Sequence, residues 1–170
     1  MPTPSMPKTI EQIMSSPAIT VKPQTRIREI ARIMREHQIS GVPVVDESDR
    51  PLGVVTEIDL IERHAPVKPP QYLAILSGLI PVSLEEYRRY KEQVRHILAI
   101  NAEQLMSTQV ETIGPGASVE EALERMLDPA VFLLAVVQEE RVIGVVTRTD
   151  LVRLIEELEL VDEEGTEAAG

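Results

Sequence analysis

Hydrophobic residues along the chain follow two alternating patterns. Short continuous apolar runs come in pairs around a polar turn, GVPVVD with LGVV in the first half and FLLAVV with VIGVV in the second. Such runs are typical of buried strands, so each pair predicts a β-hairpin. A stretch with helical periodicity precedes each hairpin and predicts an amphipathic helix. The apolar positions are Ile27, Ile30, Ala31 and Met34 in the first half, and Val119, Ala122, Leu123, Met126 and Leu127 in the second.

Local signals mark where these elements begin. The first helix follows Gln24 or Thr25, and the second is introduced by Ser118, which forms a predicted capping box with Glu121. The β-branched stretches AITV and VETI, one before each helix, predict short strands. A further helical pattern follows each hairpin. Each half of the chain therefore has the predicted order β-α-β-β-α.

The two halves are copies of each other at a nearly constant offset. The offset is 92 residues up to the hairpin turn and 91 after it, so one residue is missing from the second turn. A hairpin turn tolerates such a deletion better than a strand or a helix does. The matched pairs are Met14 and Met106, Pro23 and Pro115, Ile27 and Val119, Met34 and Met126, Val45 and Val137, Gly53 and Gly144, Thr56 and Thr147, and Asp59 and Asp150.

A longer stretch separates the copies. Residues 64–100 contain a proline-rich turn region, the apolar run YLAILSGLIPV and a helix with Ser83 and Glu86 as its predicted capping box. The stretch has two interpretations: it covers an edge of the module or extends a dimer interface, or Tyr72 to Val82 form a lid or partner surface. The helix is expected to place Leu84, Tyr87, Lys91, Val94 and Leu98 on one face.

Composition narrows the class of protein. The chain has 170 residues, 43% of them hydrophobic, which suffices for a folded core. It has no cysteine, which excludes disulfides and thiolate zinc sites. A net charge of −11 with only four aromatic residues disfavours a nucleic-acid polymer as partner. No apolar run reaches the roughly 20 residues that span a bilayer, and no export signal is evident, so we expect a cytoplasmic protein without a membrane partner.

Signals of catalysis are weak. His37, His64 and His96 are scattered, no metal-ligand spacing occurs and no nucleophile lies in a recognisable motif. We expect His37 to interact with the dipole at the C-terminal end of the first helix, and His64 and His96 to be solvated or partly packed. We expect no metal, no cofactor and no enzymatic activity. The acidic residues at the end of the chain predict a solvated helix face and a disordered tail over residues 161–170.

The clearest candidate chemistry is a duplicated Thr-x-x-Asp motif, in GVVTEIDL at residues 53–60 and GVVTRTDL at residues 144–151. One interpretation is structural, because threonine and a carboxylate three residues later cap a helix. The other is functional: the carboxylate accepts hydrogen bonds from two ribose hydroxyls, and the helix N-terminus attracts anionic oxygen. The two roles are compatible.

In these features the chain resembles the CBS (cystathionine β-synthase) domain family in its tandem form, the Bateman module. The residues that carry the resemblance are IM and ITV before the first helix, ISGVPVVD on the middle strand and LGVVTEIDL at the end of the repeat. Each has a counterpart in the second copy. The resemblance implies an α/β (α+β) fold of two β-α-β-β-α repeats, residues 8–63 and 101–160, packed with pseudo-twofold symmetry around the helical insertion. It also implies two clefts between the repeats that take adenosine-containing ligands.

The resemblance further implies which residues line each cleft. Gly41 is expected to let a flat base approach the backbone, and Arg148 to meet a phosphate, so cleft A is expected to bind the more charged ligand. Cleft A combines Ile19, Ile39, Ser40, Gly41, Val42, Pro43, Val145, Thr147, Arg148 and Asp150.

Cleft B is expected to be empty or to hold an uncharged adenosine-like group. Glu57 and Glu111 add negative charge there, and Phe132 and Leu133 replace the smaller Ser40 and Gly41. Cleft B combines Val54, Thr56, Glu57, Ile58, Asp59, Val110, Glu111, Val131, Phe132 and Leu133.

Two functions remain open at this point. The first is a free-standing regulatory module, a homodimer by the resemblance, that binds AMP, ADP, ATP or an S-adenosylmethionine-type ligand and signals to an unidentified protein partner. The second is a structural or oligomerisation module with non-binding clefts that acts through the inserted segment.

Overall fold

The first repeat is built around a hairpin of two buried strands. A computed structural model describes residues 9–75 and 78–167. Helix α1 (Ile27–His37) leads to strands β1 (Gly41–Val45) and β2 (Pro51–Thr56), which pair antiparallel, and helix α2 (Glu57–His64) follows. All five residues of β1 are buried, as the continuous apolar run predicts.

The second repeat has the same order. Strand β5 (Thr112–Ile113) is followed by helix α5 (Val119–Met126), the antiparallel strands β6 (Leu133–Gln138) and β7 (Arg141–Thr147), and helix α6 (Arg148–Glu167). Strand β5 pairs parallel with β6 through Ile113 and Val136. In the first repeat AITV forms no regular strand; only Val21 bridges to Val44, at the matching position.

The segment that leads into each repeat packs against the other repeat. Ile10 opens a short 3-10 turn (Ile10–Gln12) and is fully buried in the core of the second repeat. Correspondingly, Leu105 ends the short helix α4 (Ala102–Leu105) and is fully buried in the core of the first repeat. Burial of one such side chain contributes roughly 1.5–3 kcal/mol. The two repeats are therefore joined by a reciprocal exchange of their leading segments.

Two glycines make this exchange possible. A Cβ at Gly53 would lie 2.5 Å from Met106 Sδ and 2.7 Å from the Ser107 carbonyl oxygen. A Cβ at Gly144 would lie 2.7 Å from Met14 Sδ and 3.0 Å from the carbonyl oxygen of Ser15. The glycine of each GVVT run is thus the point where the other repeat's leading segment crosses the hairpin.

A small third core joins the repeats directly. Val45 of β1 packs with Ala135 and Val142 of the second hairpin. Near the same place, Arg50 pairs with Glu140 at 3.1 Å across the two hairpin turns. The repeats therefore face each other along their strands, with pseudo-twofold symmetry.

The inserted segment forms a hairpin and a helix. Strands β3 (Tyr72–Ile75) and β4 (Gly78–Pro81) pair antiparallel, and helix α3 (Leu84–Leu98) begins where Ser83 Oγ accepts a hydrogen bond from the Glu86 amide at 3.2 Å. Helix α3 packs against α2.

Parts of the predicted helix faces are not covered by the rest of the chain. Ala31, Leu123 and Leu127 are exposed, and in α3 Leu84, Lys91 and Leu98 are exposed while Tyr87 and Val94 are half-buried. Leu127 lies just beyond the end of α5, and Ile33 takes the place of Ala31 against the core. The helical spacing was correct, but a periodic face is wider than the surface that the neighbouring strands cover.

Two predicted N-caps also differ. Helix α1 begins after Arg26 without a side-chain cap, and Thr25 Oγ1 instead accepts from the Lys22 amide at 3.1 Å. Ser118 does cap α5, but the Glu121 carboxylate pairs with Arg125 at 2.7 Å rather than completing a box.

The predicted tail is helical over most of its length. Helix α6 continues to Glu167, where the sequence predicted disorder from residue 161. Residues 168–170, residue 8 at the expected start of the first repeat, and residues 76–77 within the expected lid lie outside the described residues.

Candidate functional site

The duplicated Thr-x-x-Asp motif has the same geometry in both repeats. In the second repeat, the Thr147 amide and hydroxyl both donate to Asp150 Oδ2 at 2.8 Å. In the first, the Thr56 amide and hydroxyl donate to Asp59 Oδ2 at 2.7 and 2.9 Å. Each carboxylate therefore caps its helix with one oxygen, as the structural interpretation predicts.

The second oxygen of Asp150 faces other groups. Asp150 Oδ1 accepts a hydrogen bond from Ser15 Oγ at 3.2 Å and lies 3.8 Å from the Arg153 guanidinium. Asp150 is only 7% exposed, so its negative charge is held in a confined place. The carboxylate joins the leading segment, the end of β7 and the first turns of α6 at one point.

Cleft A is an open cavity of about 370 Å³ between the repeats. That volume lies within the range of small-molecule sites. Seven of the ten residues predicted for cleft A line it: Ile19, Ile39, Ser40, Gly41, Val145, Thr147 and Asp150.

Three predicted residues of cleft A lie elsewhere. Val42 and Pro43 are fully buried in β1 and do not line the cavity. Arg148 turns away: its guanidinium stacks over the Phe132 ring at 5.6 Å and donates to the Asp128 carbonyl oxygen at 3.1 Å. Arg148 is therefore not the cation of cleft A.

The cation of cleft A is Arg153 instead. Arg153 lies one helical turn after Asp150, and this i, i+3 spacing is the signal by which the sequence could have identified it. The equivalent residue of the first repeat is Glu62, so the two repeats carry opposite charges at this position. The other lining residues that sequence reasoning missed are Ser15, Pro17, His37, Gln38 and Thr149.

Cleft B is almost closed, with a cavity of about 40 Å³. Phe132 and Leu133 line it where cleft A has Ser40 and Gly41. Leu133 also reaches across to the first repeat, where its Cδ2 lies 2.8 Å from the position a Cβ on Gly41 would take. Gly41 thus makes room for Leu133, in addition to lining cleft A.

Only some of the residues predicted for cleft B line its cavity. Val54, Thr56, Val110, Glu111, Val131, Phe132 and Leu133 line the small cavity, whereas Glu57, Ile58 and Asp59 do not. Asp59 lies in a separate groove of about 530 Å³, which we call the α3 groove. The inserted helix contributes Glu92, Arg95 and His96 to that groove, which also includes Glu62.

Helix α3 is fixed to the first repeat at the α3 groove. The Arg63 guanidinium donates to the carbonyl oxygens of His96, Ile97 and Ala99 at the end of α3. His96 is 6% exposed, and its Nδ1 lies 3.1 Å from Glu62 Oε2 without hydrogen-bond alignment. The expectation of a solvated or partly packed His96 is wrong, because this side chain is the buried contact of the insertion; His37 and His64 are exposed.

Neither a metal cluster nor a membrane span is present in the part of the chain that the structure describes. Within residues 9–75 and 78–167, no three histidine, aspartate or glutamate side chains converge to hold a metal ion. No helix over the same residues has the length and apolar character needed to cross a bilayer.

Relatives in sequence cover nearly the whole chain. A protein of Methanocaldococcus jannaschii, MJ1426, is 24% identical over 86% of this chain and 90% of its own length. Hypoxic response protein 1 of Mycobacterium tuberculosis is also 24% identical, over 90% of this chain and 89% of that protein. Other relatives are longer: the chain spans 32% of MJ1404 from M. jannaschii and 61% of MK0525 from Methanopyrus kandleri.

Solved structures share the fold. CBSX2, crystallised in complex with AMP, superposes with a TM-score of 0.71 at 20% identity, covering 89% of this chain and 98% of that one. The CBS domain pair of protein MJ0100, in complex with 5′-methylthioadenosine and S-adenosyl-L-methionine, gives a TM-score of 0.64 at 23% identity, covering 88% and 96%.

The family profile settles the classification. The CBS domain profile matches the chain twice, at residues 10–65 and 102–157. These two matches each cover one of the two long hairpins with the helices on either side of it, and leave the inserted hairpin and most of α3 between them. The chain belongs to the CBS domain family and carries two CBS domains in tandem.

Proposed function

We propose that the protein is a regulatory module that binds an adenosine-containing ligand in cleft A. The observation that carries the proposal is the 370 Å³ cavity between the repeats, with the buried Asp150 in its wall. Two structural neighbours, CBSX2 and the MJ0100 pair, were crystallised with AMP and with methylthioadenosine and S-adenosylmethionine. All of these ligands contain adenosine.

The walls of cleft A offer groups that suit the base, the ribose and the phosphate or carboxylate of such a ligand. Ile19, Ile39 and Val145 supply apolar surface for a base. Asp150 supplies acceptor oxygen for ribose hydroxyls, with Ser15 Oγ as the group that a hydroxyl would displace from Oδ1. Arg153 and the N-terminus of α6 supply positive potential for a phosphate or carboxylate.

The proposed output is non-enzymatic. Ligand in cleft A touches both repeats at once, so binding changes how the repeats are held and presents a different surface to a protein partner. We include in the proposal that the protein is a cytoplasmic homodimer that signals to such a partner.

The test is thermal stabilisation by AMP, ADP, ATP, S-adenosylmethionine and cyclic dinucleotides. A ligand at 100 times its Kd stabilises the fold by about 2.7 kcal/mol. We expect at least one panel member to raise Tm, and its 2′-deoxy analogue to bind more weakly if Asp150 accepts from the ribose.

The matched variants are Asp150→Asn and Asp59→Asn. Both replace a cap carboxylate of the same geometry, so both lose similar intrinsic stability, about 0.5–2 kcal/mol. Only Asp150→Asn should weaken ligand binding, by about tenfold or more, because Asp150 lines cleft A whereas Asp59 lies in the separate α3 groove. Equal weakening by both variants would contradict the assignment to cleft A.

The alternative is an assembly module with non-binding clefts. The feature that favours it is the β3–β4 hairpin, whose Leu79 and Ile80 are 68% and 51% exposed. If no panel member changes Tm, the alternative replaces the proposal.

A further inference from the structure

The α3 groove contains the counterparts of four residues that line cleft A, with one charge reversed. These residues are Asp59, Glu62, Ser107 and Gln109, which correspond to Asp150, Arg153, Ser15 and Pro17 of cleft A. Glu62 therefore lies where cleft A has its cation. The inserted helix adds a further wall, formed by Glu92, Arg95 and His96. The volume of the groove, about 530 Å³, is within the range of small-molecule sites.

The groove has an excess of negative charge. Arg95 pairs with Glu92 at 2.9 Å, so these two charges offset each other. The carboxylates of Asp59 and Glu62 have no such cation. In cleft A the Ser15 hydroxyl donates to the outer carboxylate oxygen Oδ1 of Asp150, but among the described residues no group donates to Asp59 Oδ1.

A buried donor in the same wall points to a ligand. His96 is 6% exposed, and Arg95 Nη2 lies 3.3 Å from its Nε2. A guanidinium group only donates, so Nε2 accepts and the proton of the neutral ring is on Nδ1. Nδ1 is buried without an aligned acceptor, although Glu62 Oε2 lies 3.1 Å away. An unsatisfied buried donor is unfavourable, and an acceptor on a ligand would satisfy it.

The spacing of these groups indicates the kind of ligand. A carboxylate and an N–H donor lie side by side at Glu62 and His96, and a second carboxylate, Asp59, lines the same groove. An α-amino acid has an ammonium group and a carboxylate on one carbon, which is the complementary arrangement. Among the described residues no three carboxylate or imidazole groups converge on one point, so the groove suits an extended organic ion better than a metal ion.

We propose that the α3 groove binds a free α-amino acid with a basic side chain. Its α-ammonium group donates to Glu62, its α-carboxylate accepts from His96 Nδ1, and its side-chain cation pairs with Asp59. The Glu62 side chain is 50% exposed, so it is free to turn toward the ammonium group and open the way to Nδ1. The ligand touches the inserted helix and the first repeat together, and the insertion thereby acquires a binding role of its own.

Titration calorimetry tests the ligand class. We expect at least one of lysine, arginine and ornithine to bind at submillimolar concentration. Norleucine lacks the side-chain cation and cadaverine lacks the α-carboxylate, so each should bind about tenfold more weakly than lysine or worse. Failure of all three basic amino acids to bind overturns the proposal. Cadaverine binding as tightly as lysine also overturns it, because the groove would then recognise only a cation.

A matched pair of variants tests the location. Glu62→Gln keeps the shape of the side chain and removes its charge, so the amino acid should bind roughly tenfold more weakly or worse. Glu120→Gln removes one exposed carboxylate from α5, outside the groove, and should leave the Kd unchanged. An unchanged Kd in Glu62→Gln, or equal weakening in both variants, overturns the proposal.

The nucleotide panel keeps this site distinct from cleft A. Glu62 does not line cleft A, so nucleotides should shift the Tm of Glu62→Gln as they shift that of the natural chain. Loss of both the amino-acid and the nucleotide response in folded Glu62→Gln overturns a separate site. A chain that binds lysine and no nucleotide supports this site and removes the proposed function.

Discussion

Clefts A and B contain the same Thr-x-x-Asp motif but differ in cavity volume. The Thr-x-x-Asp hydrogen bonds agree within 0.1 Å between the two repeats, yet the cavities measure about 370 and 40 Å³. The motif therefore builds the start of a helix in both places and does not by itself make a site. Cleft A differs from cleft B in the residues around the motif, with small side chains opposite it and a cation one turn further on.

The charges follow the same division. Arg153 faces cleft A, whereas its equivalent Glu62 faces the α3 groove together with Glu92 and the buried His96. The two repeats share one backbone arrangement. Sequence differences between them give one open cavity with an arginine beside its aspartate, and one almost closed cavity next to an acidic groove.

The largest expected effect compares the two glycines at which the leading segment of one repeat crosses the hairpin of the other. Gly53→Ala should lower the free energy of unfolding by about 1–3 kcal/mol, because its Cβ meets the Ser107 carbonyl oxygen at 2.7 Å. Gly144→Ala should cost less, since the nearest backbone oxygen lies at 3.0 Å. Urea unfolding measures both. Gly116→Ala, with no atom within 4 Å of the added carbon, is the control, and a Gly53→Ala variant as stable as this control would contradict the close crossing.

A smaller effect tests the charge difference between the clefts. Arg153→Glu should weaken AMP binding by about tenfold while changing adenosine binding little, because only the phosphate interacts with this exposed cation. Arg148→Glu is the matched control, since Arg148 does not line cleft A. Titration calorimetry with AMP and with adenosine measures the two dissociation constants and hence their ratio in each variant. A stronger effect of the Arg148 change would show that Arg148 swings into the cleft on binding.

The smallest effect tests what closes cleft B. Phe132→Ser, which copies Ser40 of the first repeat, should widen the cavity and add a second, weaker binding event in calorimetry. It should also cost about 0.5–1 kcal/mol through loss of the stacking with Arg148. Phe132→Leu preserves apolar bulk and should leave a single event. If Phe132→Ser shows no second binding event, Leu133 rather than Phe132 is the residue that closes cleft B.

The repeat was predictable because its signals are local. Hairpin strands, helix spacing and the Thr-x-x-Asp caps each depend on residues a few positions apart, and duplication at a constant offset reinforced every one of them. Seven of the ten residues predicted for cleft A from the family pattern do line it.

The remaining features depend on contacts between distant segments. Nothing near Ile10 shows that it belongs to the second repeat, and nothing near Arg148 shows that Phe132 attracts its guanidinium. The exposure of Leu123 and Leu127 was missed because periodicity shows which residues share a face, but not whether another element of the same chain covers it.

The reciprocal placement of Ile10 and Leu105 has a consequence for how the protein unfolds. Each half lacks part of its interior when separated from the other, so neither half is a self-sufficient folding unit and the chain should melt in one cooperative step. If the proposed ligand binds between the halves, it should therefore raise the stability of the entire chain rather than of one repeat.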